Sequence, residues 1–170
     1  HAAAMVAWKR AEAAANLLVA ALARDMRGAQ LLVLSAADSS DVTEGAGADL
    51  LDPVEHALAR YPYPDVFFSW RGSADPGTVT FYSRAERRPP WLSRLDQRES
   101  VPIVIGREPG LGARLVDRVM RDGTQGRRFS VFNMPVAGAT YLVVAALSHT
   151  DARQERPATV LGFMVNLEWV

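Results

Sequence analysis

The sequence predicts an α+β domain. A long N-terminal helix precedes a five-stranded antiparallel sheet, and a helical insertion lies between strands 2 and 3. Three observations support this. The closing stretch Ala158 to Val170, ATVLGFMVNLEWV, has the period of a strand: Leu161, Phe163, Val165, Leu167 and Trp169 fall on one side, and Val160, Gly162, Met164, Asn166 and Glu168 on the other. Apolar on nearly both sides, it belongs in the middle of a sheet covered on two faces. Residues 65–85 read as a hairpin, and residues 127–148 supply two more strands just ahead of the last. Helix and strand do not alternate regularly, which argues against a parallel sheet built from right-handed crossovers.

Residues 1–38 read as the long helix, rich in Ala, Leu and Arg, with Gly28 inside it and no proline. Trp8, Ala11, Ala15, Leu18, Leu22, Ala29 and Leu32 form a seam at 3–4 spacing, interrupted at Asp25. At about 1.5 Å per residue its length exceeds 45 Å, more than a small domain is wide. The seam can pack on a sheet, on a second copy of itself, or on both at different heights. Ser39 to Asp49 is a loop by composition. A short helix then starts with Asp52 as N-cap, Pro53 at the first helical position and Glu55 three after the cap. It ends before Tyr61-Pro62-Tyr63-Pro64, because a residue preceding proline resists the helical region. Residues 50–170 form the α/β core, and 1–170 a single domain.

The hairpin pairs DVFFSWRG with TVTFYSRA through Ser73-Ala74-Asp75-Pro76-Gly77. Matching Arg71 with Thr78, Ser69 with Thr80 and Phe67 with Tyr82 gives two coherent faces, which a one-residue slip would scramble. Val66, Phe68, Trp70, Val79 and Phe81 make an apolar face that should take a helix. Phe67, Ser69, Arg71, Thr80, Tyr82 and Arg84 make a mixed face that either meets water or lines a pocket. Ala85 to Glu99 is irregular and arginine-rich, with Trp91 exposed. Val101 to Ile105 is a short apolar run leading to Gly106, and Gly112 to Arg121 a helix closed by Asp122-Gly123. Arg127 to Pro135 and Thr140 to Ser148 are strands joined at Val136 to Ala139. The polar loop Asp151 to Pro157 precedes the last strand, whose abrupt end suggests a domain excised from a longer chain. Phe129, Phe132 and Tyr141 are expected in the core.

Composition narrows the function. Nineteen basic residues balance nineteen acidic ones, so no net charge recruits nucleic acid or an anionic surface. The absence of cysteine removes disulfides and thiolate chemistry. Gly106, Gly110 and Gly112 give G-x-x-x-G-x-G, similar to the cofactor loop of short-chain dehydrogenases. That loop should follow the first strand of a doubly wound domain, yet only about sixty residues remain. Lys9 is the only lysine, so the Tyr-x-x-x-Lys pair of that family is missing. The same scarcity rules out a Walker loop. His1, His56 and His149 lack ligand spacing, and His56 does not share a helical face with its neighbour Glu55. Neither a cofactor nor a metal is expected, and the domain is expected not to be an enzyme.

A long N-terminal helix, a hairpin, a helical insertion, three antiparallel strands and a close at GFMVNLEWV together resemble the extracytoplasmic sensor domains of bacterial histidine kinases, which are PAS-like domains of the Cache type. The resemblance spans essentially the whole chain and rests on element order and the character of the last strand rather than on an invariant motif. It implies a five-stranded sheet in PAS-like order, with the long helix behind and the insertion in front. It further implies a periplasmic domain of an inner-membrane protein anchored on both sides, a homodimer through the N-terminal helix, and two-component signalling. Met5-Val6-Ala7-Trp8 and Leu167-Glu168-Trp169-Val170 suit such anchors, with tryptophans at the membrane–water interface. A ligand would lie between sheet and insertion, where Ser69, Arg71, Tyr82 and Arg84 would converge with Arg107 or Trp91. An arginine fork with aromatic walls suits a small carboxylate or other anion. The plainer alternative leaves Arg71 and Arg84 as solvated residues on a half-buried hairpin. A cytoplasmic PAS- or GAF-like binding module is the second reading of the whole chain.

Overall fold

The computed structural model describes residues 2–6, 50–71, 75, 78–92, 102–148 and 159–169. Residues 2–6 are helical and exposed; the rest of the long helix expected over 1–38 lies outside the described residues. The elements among the described residues from 50 onward are α1 (Leu51–Arg60), β1 (Pro64–Arg71), β2 (Thr80–Arg84), a 3₁₀ turn (Pro90–Leu92), β3 (Ile103–Gly106), α2 (Pro109–Thr124), β4 (Phe129–Val136), β5 (Ala139–Ser148), β6 (Thr159–Asn166) and a closing 3₁₀ turn (Leu167–Trp169).

The sheet has six strands in the order β3-β2-β1-β6-β5-β4, with every neighbouring pair antiparallel. This corrects the five-stranded expectation. The extra strand is β3, whose Ile103, Val104, Ile105 and Gly106 pair with Arg84, Ser83, Tyr82 and Phe81. Four residues are too few to show a period, and the run owes its extended form to the open edge of β2. The segment between β2 and β4 is therefore strand plus helix rather than a helical insertion alone.

The two faces are covered differently. On one, Leu115, Val116 and Val119 of α2 pack with Val66, Phe68, Trp70, Val79 and Phe81 of the hairpin and with Val143, Ala145, Leu147, Val160 and Met164. All five residues of the hairpin's apolar face are there, under a helix. On the other, Leu50, Val54, Ala57 and Leu58 of and beside α1 pack with Phe67, Tyr82, Val144, Phe163 and Val165. Among the described residues the helix that backs the closing strand is α1. The mixed hairpin face splits along its length, with Phe67 and Tyr82 in this core and Ser69, Arg71 and Thr80 half-buried beyond it.

β6 lies between β1 and β5, the interior place that its two-sided apolar pattern predicts. It stops at Asn166, earlier than expected. The Glu168 N–H donates to Asn166 Oδ1 at 3.0 Å, an Asx-type turn that diverts Leu167 and Trp169 from the strand. The hairpin register agrees with the alternation at Phe67–Tyr82 and Ser69–Thr80, but no ladder pair joins Arg71 and Thr78, since β2 begins at Thr80. α1 takes Leu50 as its N-cap, with Asp52 already in the first turn and making no side-chain cap bond. α2 starts three residues before the expected Gly112 because Pro109 suits the first helical turn. Phe132 and Tyr141 are core, whereas Phe129 is 51% exposed on the edge strand β4.

β4 and β5 join through Ala137 and Gly138, both at positive φ (48° and 85°), as a two-residue hairpin of the primed type requires. Alanine pays a steric penalty in that region. Ala137→Asn is expected to raise stability by about 0.5–1 kcal/mol, read as a higher urea midpoint at unchanged slope; a lower midpoint would contradict the left-handed assignment.

Candidate functional site

The strongest polar constellation sits where β1 begins. Pro64 pairs with Val165 and Val66 with the adjacent Met164, so Asp65 is the extra residue of a β-bulge. Without the bulge, Asp65 would share the α1 side with Phe67. With it, the carboxylate reaches Tyr141, whose neighbours Val143 and Ala145 belong to the α2-side core. Asp65 is 1% exposed. It accepts two hydrogen bonds from Arg87, Nε to Oδ1 at 3.2 Å and Nη2 to Oδ2 at 2.5 Å. The Tyr141 hydroxyl donates to Oδ2 at 3.1 Å and accepts from Arg87 Nη2 at 2.9 Å. Each of the three thus touches the other two.

The electrostatics follow from this geometry. The hydrogen bond to Asp65 raises the Arg87 pKa above its ordinary value, against the desolvation that opposes its charge. Burial raises the Tyr141 phenol first, and the Asp65 charge adds to it. The cluster is a fixed ion pair with a buried hydroxyl. It ties the segment after β2 to the head of β1.

The six residues expected to bind a ligand are dispersed. Arg84 points toward the end of α1, donating to Leu58 O at 2.6 Å, Tyr61 O at 2.9 Å and Pro64 O at 2.9 Å. It satisfies carbonyls that the helix terminus and the following turn leave open. Burial lowers its pKa, and the Asp65 charge partly offsets that. Arg71 lies at the opposite end of the hairpin, so the two arginines form no fork. Tyr82 is fully buried against the α1-side core. Trp91 stands in the 3₁₀ turn at 66% exposure, and Arg107 is exposed just after β3. Ser69 and Arg71 stay side by side, two apart on one face of β1, as Tyr82 and Arg84 do on β2.

Asp65 and Arg87 escaped the sequence reading, which places Tyr141 in the core without linking it to them. The one local signal is an aspartate at the apolar head of β1, which alternation alone assigns to the wrong face. A second buried acid, Asp122 of α2, accepts from the Ser130 hydroxyl and lies 3.7 Å from Arg118 Nε and 3.6 Å from Arg127 Nη1. It fastens α2 to β4. Among the described residues there is no group of three or more acidic or histidine side chains able to hold a metal ion, and no helix long and apolar enough to cross a membrane. No protein-family model matches the chain, and no curated protein matches it.

Proposed function

We propose that the chain is the signal-input domain of a membrane-bound bacterial signal-transduction histidine kinase, a PAS-like sensor unit on the extracytoplasmic side. The observation that favours this reading is the position of β6. It is hydrogen-bonded to β1 and β5, carries Phe163 and Val165 into the α1-side core, and carries Val160 and Met164 into the α2-side core. A shift of either helix against the sheet therefore bears directly on this one strand. In the six-stranded order β3-β2-β1-β6-β5-β4 the first and last strands lie together at the centre. In this reading the domain performs no catalysis of its own and acts as a homodimer.

The parent gene supplies the test. Hydrophobic spans of about 20 residues are expected both ahead of residue 1 and after residue 170. Polar flanks on both sides would overturn the membrane assignment in favour of a cytoplasmic binding module.

A further inference from the structure

Arg71 closes β1, and its Nε is buried without a hydrogen-bond partner among the described residues. Buried donors are nearly always paired, and a buried N–H without an acceptor is a costly exception. No carboxylate among the described residues forms an ion pair with it. The surroundings are hydroxyl-rich. Ser69 is two residues back on the same face, Thr159 of β6 is the cross-strand partner of Arg71, and Thr80 of β2 is the partner of Ser69. All four residues are half-buried, beyond the apolar cluster under α1.

We propose that Ser69, Arg71, Thr80 and Thr159 receive a small oxyanion, a carboxylate or a phosphate, on the α1 side of the sheet. A guanidinium donates paired N–H groups to two oxygens of such a group, and each hydroxyl can turn to donate another. The ligand would complete the orphaned Nε and tie β1 to β6 at the pair Arg71–Thr159. This deepens the signal-input reading and rests on it for what the bound anion does. The site itself stands on the hydroxyls and the buried nitrogen.

Thermal shift and calorimetry of the whole chain with acetate, succinate and inorganic phosphate test the site, with sodium chloride holding ionic strength constant. At least one probe is expected to stabilise the protein. Stabilisation by the organic acids alone names a carboxylate ligand, and by phosphate alone a phosphate. Arg71→Gln is expected to weaken binding tenfold or more, since it removes a charge-assisted pair of bonds. Arg121→Gln, on the exposed face of α2, leaves binding unchanged. Should Arg71→Gln fail to fold, the near-isosteric Thr159→Val carries the test, with a several-fold loss expected. Stabilisation by none of the probes overturns the site, as does binding unaltered in the folded Arg71→Gln or, failing that, Thr159→Val protein. Binding in a protein whose gene has polar flanks would leave the site standing and remove the membrane-sensor reading, and the converse result would do the reverse.

Discussion

Gly162→Val is expected to destabilise the domain by about 3 kcal/mol or more, near the upper end for overpacking a core. A Cβ at this position would lie 2.5 Å from Phe68 Cζ and 2.5 Å from the Val144 carbonyl oxygen. Neither neighbour has room to yield. Phe68 is 1% exposed and packs against Phe81 at a ring separation of 6.3 Å, while Val144 is held in the ladder opposite Phe163. Gly162 pairs with Phe68 on one side and Ala145 on the other, so the clash falls at the centre of the sheet. Urea denaturation should show a large fall in midpoint at similar slope. Phe68→Leu should recover part of the loss in the double variant, because it relieves one of the two contacts. An unchanged midpoint in Gly162→Val would show that the ring does not lie over this glycine.

Asp65→Ala is expected to cost about 2–3 kcal/mol. Removing one partner of a fully buried ion pair costs about 3–5 kcal/mol. Here Arg87 is 44% exposed and can recover solvent, which discounts that figure. The remaining loss falls on the buried Tyr141 hydroxyl, deprived of its acceptor. Tyr141→Phe should cost less, about 1 kcal/mol, and should leave a signature in pH. The folded phenol has a pKa raised above its ordinary value of 10.0, so the neutral form is favoured in the fold. Its contribution is fully present below pH 10.0 and is lost as pH rises through the higher folded value. Stability measured across that alkaline range should fall less in Tyr141→Phe than in the parent. Parallel curves would show that Tyr141 titrates alike in the folded and unfolded chains.

Much of the sheet was legible beforehand, because strand alternation is a local property. Val66, Phe68, Trp70, Val79 and Phe81 could be assigned to one face without knowing what covered it, and Phe67 could be matched with Tyr82 because any slip exposes both sets. The interior position of β6 followed in the same way from apolar residues on both its sides. The candidate site was much less legible. Asp65 lies 22 residues from Arg87 and 76 from Tyr141, and no short-range pattern links them. A bulge is a count of two residues against one on a partner strand, so it exists only once β1 has met β6. Arg84 looked like a ligand arginine from its place on the mixed face, but its role depends on α1 ending 2.6–2.9 Å away at Leu58 and Tyr61.

By itself, the sequence determined the antiparallel hairpins, the faces of their strands and the two-sided burial of the closing strand. These follow from the two-residue period of the backbone and the cost of exposing apolar side chains. Tertiary structure alone decided the sixth strand, the helix behind each face and the turning of Asp65 toward Tyr141. Each of those depends on which distant segments become neighbours, and it is the order of strands across the sheet that brings them together.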